Sequence, residues 1–123
     1  VIPGDLTKGK AMTEIGNALR KLQIPLRVIY FSNAEEFWVY PKGFRQSMLN
    51  LPFDAKSKVL RTVVIGKKYK IGWKFHYTIQ DAADFQAWMR LPGSFTSKTI
   101  ARKHRIPLDG TLYFSRLPAP PSK

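Results

Sequence analysis

The chain has 123 residues, of which 21 are basic and 8 acidic, and its formal net charge at pH 7 is +13. This length allows one hydrophobic core, and the hydrophobic fraction of 44% excludes wholesale disorder. Cysteine is absent, which excludes disulfide scaffolds, thiol nucleophiles and cysteine-rich zinc sites. The sequence therefore predicts a single basic domain over residues 1–117, followed by a Pro-rich flexible tail over residues 118–123.

The charge indicates which partners to expect. An excess this large creates a positive potential of several kT over much of the surface of a small domain. Such a field attracts nucleic acid or another polyanion, an anionic membrane surface or an acidic protein. The simpler alternative is that the charge only keeps the protein in solution.

The sequence does not indicate a membrane protein. Its longest apolar stretches are far shorter than the roughly 20 residues of a membrane-spanning helix, and no signal peptide opens the chain. We therefore expect a cytoplasmic protein without a transmembrane segment. Because the sequence starts at Val1 rather than at a methionine, we expect either a processed start or a piece of a longer protein, with an upstream domain or a protein partner.

Helical and strand patterns alternate along the first half of the chain. Over residues 8–22 apolar side chains recur at spacings of three and four, which predicts an amphipathic helix with Asp5 or Thr7 as its cap. Residues 26–31 are rich in β-branched and aromatic side chains, and the run has the length of a buried strand. Asn33 is placed to cap a short helix that follows this strand.

The second half continues the alternation. We expect these elements: a helix ending near Pro52, strands over 59–65 and 69–80, a helix capped by Asp81, a short basic helix over 97–104 and a last edge strand over 111–115. In the strand over 69–80, we expect the aromatic set to face the core and His76 to point the other way. The alternation, with an antiparallel strand pair late in the chain, favours an open three-layer α/β sheet over a barrel.

Two short motifs bear on function. Residues 4–9, Gly-Asp-Leu-Thr-Lys-Gly, resemble a phosphate loop only superficially, and an ordinary turn before the helix is the better interpretation. Residues 32–36, Ser-Asn-Ala-Glu-Glu, follow a strand, which is where ligands bind in open α/β sheets, so this polar cluster with two carboxylates is a candidate small-molecule or catalytic corner. The structural alternative is that Asn33 caps the helix, while Glu35 and Glu36 favour its positive end.

The sequence supports no catalytic or metal-binding assignment. Glu35 and Glu36 are adjacent, so on a helix they diverge by about 100° and cannot flank one bond, which argues against glycosidase chemistry. His76 is most simply a hydrogen-bonded structural residue, and His104 adds to a basic patch. Two distant histidines without cysteine do not make a zinc site.

Basic side chains are unevenly distributed along the chain. Between Lys56 and Lys74 there are seven basic residues and no acidic one, and a second group lies near the end. The residues predicted to bind a polyanion are Lys67, Lys68, Lys70, Lys74, Arg102, Lys103 and Arg105. The interleaved Tyr69, Trp73 and Phe75 would suit a single nucleic-acid strand. The simpler interpretation is that these rings face the core while lysines line the sheet edge.

Three motifs in the first half of the chain resemble those of a known family. A strand ends in a Ser-Asn-x-Glu motif at residues 32–35, a Leu-Pro-x-Asp turn follows at 51–54, and the next strand contains Arg61-Thr62. On these motifs, roughly residues 1–65 resemble the C-terminal half of a poorly characterised bacterial family of methyltransferase-like proteins.

This resemblance implies a Rossmann-like sheet of the S-adenosylmethionine-dependent type, of which the chain would form half. It also implies that Ser32, Asn33 and Glu36 line the substrate side of the cleft. The cofactor-binding half of the family would lie upstream of Val1. We therefore expect no cofactor in this chain, and S-adenosylmethionine only together with an upstream half.

Two functions from different classes remain open. In the first, the chain is a non-catalytic binding or accessory domain on a methyltransferase-like scaffold, and its basic surface holds an anionic partner. In the second, it is the C-terminal half of an S-adenosylmethionine-dependent methyltransferase. The first is the leading hypothesis, because it needs only residues that the chain contains.

Overall fold

The computed structural model describes residues 4–64, 76–108 and 114–122 and shows a mixed α/β fold. The elements are α1 (Lys10–Lys21), β1 (Val28–Tyr30), a 3₁₀ turn (Ala34–Phe37), α2 (Lys42–Leu49), β2 (Lys58–Val63), β3 (His76–Asp81), α3 (Ala82–Arg90), α4 (Ser97–His104), β4 (Ile106–Pro107) and β5 (Phe114–Leu117). The helices predicted from apolar spacing are confirmed, with ends that differ by a few residues. Crossing a membrane would take a longer and more apolar helix than any in the described ranges.

The five strands form one mixed sheet in the order β1-β2-β3-β5-β4. β1 is parallel to β2, and β3 to β5, whereas β2 with β3 and β4 with β5 are antiparallel. The expected antiparallel pair late in the chain is therefore present. The expectation that the last strand lies at the edge is wrong, because the two-residue strand β4, which the sequence did not indicate, pairs with the outer side of β5.

Helices cover one face of the sheet. The core lies between this covered face and α2, α3 and α4, and α1 packs on α2. The main core side chains are Phe31, Phe44, Met48, Val59, Val63, Phe85, Trp88, Met89, Ile100 and Leu117. The second helical layer that a three-layer fold requires is not among the packing contacts of the described residues.

The opposite face of the sheet exposes several large side chains to solvent and is called the open face below. Side chains of cross-strand partners lie on the same side of a sheet. The strand register thus defines the open face as Val28, Tyr30, Lys58, Leu60, Thr62, Tyr77, Ile79, Asp81, Ile106, Phe114 and Arg116. Tyr30 is 60% exposed, Tyr77 51% and Phe114 37%. Large aromatic side chains therefore lie on the side of the sheet that the described helices do not cover.

Two expectations about the strands are wrong as a result. β1 was expected to be buried, but it is an edge strand whose Val28 and Tyr30 are exposed, because its described partner is β2 alone. In β3 the orientation is the reverse of the expected one: His76 and Gln80 are buried, and Tyr77 points to solvent. The polar side chains of β3 face inward because they form hydrogen bonds with other buried polar groups on the covered face.

Two predicted helix caps occupy the expected positions but do not form the expected side-chain hydrogen bonds. Asp81 precedes α3 and Asn33 precedes the 3₁₀ turn, but neither side chain makes a capping hydrogen bond. The Asp81 carboxylate instead binds Lys58 and Arg116 on the open face. These ionic contacts lower the pKa of Asp81, first through the Lys58 hydrogen bond and then through the charges of both cations, against the opposing effect of burial.

Residues 4–9 form an ordinary turn before α1, as predicted. The Asp5 carboxylate accepts hydrogen bonds from the Thr7 N–H and hydroxyl at 2.8 and 2.6 Å, so neither residue caps the helix as expected. The cap position is Gly9, with a left-handed φ of 76°. A β-carbon on Gly9 would lie 2.3 Å from the carbonyl oxygen of Gly43 in α2. The two helices therefore approach each other through this pair of glycines.

The expected tail begins with a fixed residue. The carbonyl oxygen of Pro118 accepts a hydrogen bond from the Trp88 indole N–H at 2.8 Å and from the Gln80 amide at 3.4 Å. Residues 119–122 are in neither a helix nor a strand. Pro118, the first residue after β5, is thus hydrogen-bonded to α3 and to β3.

We expect Gly9→Ala to lower the free energy of unfolding by about 2–5 kcal/mol. A left-handed alanine costs about 1–2 kcal/mol, and an overpacked contact with the α2 backbone adds about 1–3 kcal/mol. Urea denaturation measures the loss. Gly93→Ala is the matched control, because Gly93 also has a positive φ, 90°, but no atom within 4 Å of an added β-carbon. Equal losses in the two variants would contradict the close approach of α1 and α2.

Candidate functional site

One corner of the sheet collects the residues predicted to line a substrate cleft. β1 and β2 are parallel, so their carboxyl ends lie at the same edge, and Ser32, Asn33 and Glu36 follow β1 there. The Ser32 carbonyl oxygen accepts the Thr62 N–H at 2.8 Å, and the Glu36 carboxylate accepts the Val64 N–H. The fold therefore brings the three predicted residues together beside the end of β2.

These contacts give Ser32 and Glu36 a structural role. Ser32 and Glu36 join the 3₁₀ turn to β2, and Ser32 adopts a left-handed φ of 53°. For a residue other than glycine this conformation costs about 1–3 kcal/mol, and such strain is concentrated at functional sites. Asn33 is half-buried, and its side chain does not cap the turn. Of the three predicted residues, Asn33 is thus the one whose side chain takes no structural role in the described contacts.

Glu35 points into the core instead. It is 1% exposed, and its carboxylate binds Arg61 Nε at 2.6 Å and accepts the Tyr40 hydroxyl at 2.7 Å. Arg61 is itself only 2% exposed. The two adjacent glutamates diverge as predicted, one into the core and one toward the end of β2, so they cannot act together on one bond.

Arg61 connects this ion pair to the rest of the covered face. Its Nη1 donates to the Gln80 side-chain oxygen at 3.0 Å, and its guanidinium lies 5.4 Å from the centre of the Phe85 ring. A carboxylate, an amide and an aromatic face together stabilise a cation that has left water. Arg61 Nη2 and the Thr78 hydroxyl have no hydrogen-bond partner within the described residues, and each carries a desolvation cost.

Burial and charge shift the pKa values within this cluster. Burial, with the negative charge of Glu35 beside it, raises the pKa of the Tyr40 hydroxyl well above its ordinary value. Burial, the largest single effect, lowers the pKa of the Arg61 guanidinium, but the charge of Glu35, the charge of Tyr40 and the hydrogen bond to Glu35 together outweigh it and raise this pKa. Tyr40 and Arg61 therefore keep their protons at neutral pH. The cluster is a hydrogen-bonded structural unit rather than an acid–base pair.

The two histidines are held by the fold. His76 is 2% exposed, and its Nε2 lies 2.7 Å from the Ser115 hydroxyl on the neighbouring strand, which confirms the prediction of a hydrogen-bonded structural residue. The His104 ring lies 5.1 Å from the Trp88 ring, so it packs against α3 at the end of the basic helix. In the parts of the chain that the structure describes, no cluster of histidine and acidic residues could hold a metal ion.

The residues predicted to bind a polyanion are described in part. Arg102 and Lys103 are exposed in the last turn of α4, and Arg105 follows the helix and is half-buried. The carbonyl end of a helix favours cations, so the fold itself accommodates this group of charges. The remaining residues of the prediction lie outside the described ranges: Lys67, Lys68, Lys70 and Lys74, with the interleaved Tyr69, Trp73 and Phe75.

Acidic side chains are paired within the fold, whereas several basic ones are not. The described carboxylates and their partners are Asp5 with Lys8, Glu14 with Lys10, Glu35 with Arg61, Asp54 with Arg27, Asp81 with Lys58, Asp84 with Arg116 and Glu36 with the Val64 N–H. Within the described residues, the cations without an acidic partner inside 4 Å include Lys21, Lys42, Arg90, Lys98, Arg102 and Lys103. The positive excess is therefore displayed on the surface.

The open face is the feature that sequence analysis missed. A shallow groove of about 460 Å³ crosses it between Tyr30, Leu60, Tyr77 and Phe114. Alternation along β3 separates the aromatic set from the polar set, but it does not show which set is inside. The available signal was Arg61, a charged residue in the middle of an apolar strand, because a buried charge requires polar neighbours on its own side of the sheet.

The chain is thus a small basic domain with a mixed α/β fold, and its described carboxylates are bound to cations or to a backbone N–H group. The family model described as Domain of unknown function (DUF7790) matches residues 1–116, so the chain belongs to this family. The comparison with curated proteins finds no match. The methyltransferase-like relationship expected from the motifs in residues 1–65 thus stays a prediction.

We expect strong coupling between Glu35→Gln and Arg61→Met in a double-mutant cycle. Each single change leaves a buried group without its partner and should lower the free energy of unfolding by about 3–5 kcal/mol. The double change removes both charges and should cost at least about 2 kcal/mol less than the sum of the single changes. Urea denaturation of the four proteins measures the coupling.

The exposed pair Lys10 and Glu14 provides the control for this cycle. Their charged atoms are 4.0 Å apart, and both side chains are mostly in solvent. Such pairs contribute little, so Lys10→Met and Glu14→Gln should be additive within the error of denaturation. Additive losses for Glu35 and Arg61 as well would show that the buried ion pair is not the unit we describe.

Proposed function

We propose that the chain is a cytoplasmic, non-catalytic binding domain on a methyltransferase-like scaffold, and that its basic surface holds nucleic acid or another polyanion. The observation that carries this proposal is the charge balance. The net charge is +13, and the described carboxylates are already bound to cations or to a backbone N–H group. The field outside the molecule is therefore that of unpaired cations, which attract and orient a polyanion.

The end of α4 provides a local contact point for such a partner. Arg102 and Lys103 are exposed there, and Arg105 follows at the start of the next connection. Phosphate groups that bind these side chains displace condensed counterions, and this release makes binding both favourable and dependent on salt. The lysines at 67, 68, 70 and 74 belong to the same proposal on sequence grounds.

Binding to a labelled oligonucleotide should weaken steeply as salt rises from about 50 to 200 mM, because each phosphate contact contributes about −0.7 to −0.9 to the slope of log K against log salt. Replacing Arg102 and Lys103 together by glutamine should make that slope shallower by about 1.4–1.8. Fluorescence anisotropy at a series of salt concentrations measures both effects.

The matched control replaces Lys8 and Lys10 by glutamine. These lysines carry the same charge, but they already pair with Asp5 and Glu14. The control should change the slope less than the α4 variant does. Salt-insensitive binding, or no binding to nucleic acid and to anionic lipid vesicles, would remove the proposal.

A second candidate is the C-terminal half of an S-adenosylmethionine-dependent methyltransferase with a Rossmann-like sheet. Its support is the parallel pair β1–β2, joined through α2, with Ser32, Asn33 and Glu36 at the carboxyl ends, where such sheets bind ligands. The described residues of this corner do not fit the cofactor itself, because Glu35 and Glu36 are already bound to an arginine and to a backbone N–H. The cofactor would be held by residues outside this corner.

This candidate predicts an effect of Asn33→Ala in a longer natural chain that carries the domain. Calorimetry should detect S-adenosylmethionine binding, and methyl transfer should fall at least about tenfold, the effect of one lost hydrogen bond to the substrate. The free energy of unfolding should not change, since the Asn33 side chain does not cap the turn. Asn17→Ala on α1 is the control, and unchanged activity in Asn33→Ala would argue against this corner as a substrate site.

A further inference from the structure

On the open face, three aromatic rings form a band across the sheet. Tyr77 and Phe114 are direct partners on neighbouring strands, so their backbones lie about 4.8 Å apart. Tyr30 lies on β1, with Leu60 of β2 between it and β3. More than a third of each ring residue is exposed. The core does not use this side of the sheet, and the polar side chains of β3 occupy the buried side.

The charge of the chain selects among possible occupants of such a face. A second copy would bring together two bodies of net charge +13, which repel each other. A partner that offers flat apolar surfaces together with negative charge is favoured instead. A single-stranded nucleic acid has both, because its unpaired bases stack on aromatic side chains while its phosphates bind cations.

The charge of the chain acts on the band as the field of the whole molecule. The basic end of α4 belongs to the helical layer on the covered side of the sheet. The cations on the face itself contribute little, because Lys58 and Arg116 are paired with Asp81 and Asp84. The band itself is therefore apolar, and the net charge of +13 supplies the attraction for phosphates.

We propose that the open face binds single-stranded nucleic acid, with bases stacked on Tyr30, Tyr77 and Phe114 and phosphates attracted by the net positive charge of the chain. The inference rests on the proposed function and names the partner and its contact surface. Cations supply affinity for any polyanion, whereas the rings select a strand whose bases are free to stack. A duplex, whose bases already stack on one another, and a polyanion without bases should both bind less tightly.

The test compares two labelled probes of equal length and charge by fluorescence anisotropy at one salt concentration. One is an oligothymidylate of about 15 nucleotides, long enough to span a sheet of this kind, and the other is an abasic oligomer with the same number of phosphates. The wild-type chain should bind the oligothymidylate at least about tenfold more tightly, because only this probe can stack.

Ring-removal variants locate the contact. Tyr77→Leu and Phe114→Leu keep an apolar side chain but remove the ring, and each should weaken oligothymidylate binding by about fivefold to a hundredfold while abasic binding is unchanged. Phe37→Leu is the matched control, because Phe37 is 77% exposed on the 3₁₀ turn, outside the sheet. It should change binding of neither probe. Urea denaturation of each variant confirms that the fold is retained.

The outcomes separate this inference from the function on which it rests. Equal affinity for the two probes would overturn stacking on the open face and leave polyanion binding intact. Absence of binding to both probes would overturn the proposed function as well. A wild-type dimer that Tyr77→Leu converts to a monomer in sedimentation would assign the face to a second copy and overturn the inference.

Discussion

The buried ion pair of Glu35 and Arg61 constrains the whole sheet, because neither charge can leave water without its partner. Glu35 comes from the turn after β1 and Arg61 from the middle of β2, so the pair fixes how these two elements meet. Arg61 then requires polar neighbours, and Gln80 of β3 supplies one. The hydroxyl of Tyr40 completes the carboxylate's partners. One pair of opposite charges thereby sets the composition of the covered face across three segments of the chain.

The period of a β-strand carries this constraint to the opposite face. Successive side chains of a strand point to opposite sides, so a strand that buries its polar residues must expose the alternate ones. In β3 the residues that alternate with His76 and Gln80 include Tyr77, and its partner Phe114 follows the same rule on β5. The exposed aromatic band is therefore the other side of the buried polar network. One arrangement of strands generates both features.

The sequence predicts the features that depend on local periodicity, but not those that depend on contacts between distant residues. Apolar spacing predicted the helices, and the turn before α1 was also predicted. Alternation in β3 separated two sets of residues correctly, but the side that faces the core depends on Arg61 and Glu35, which are 26 positions apart in the sequence. The burial of β1 could not be predicted either, because it depends on the number of neighbouring strands. The two-residue strand β4 is too short to show any period.

The two candidate surfaces differ in how far their side chains also hold the fold together. The corner with Asn33 is held on β2 by contacts of Ser32 and Glu36, so changes of these two residues disturb the structure of the corner itself. The open face is different, since its rings project from strands that the opposite side holds in place. A side chain such as Tyr77 can therefore change without loss of the core. If the open face binds single-stranded nucleic acid as proposed, this separation lets cations set the affinity for polyanions while the rings choose among them.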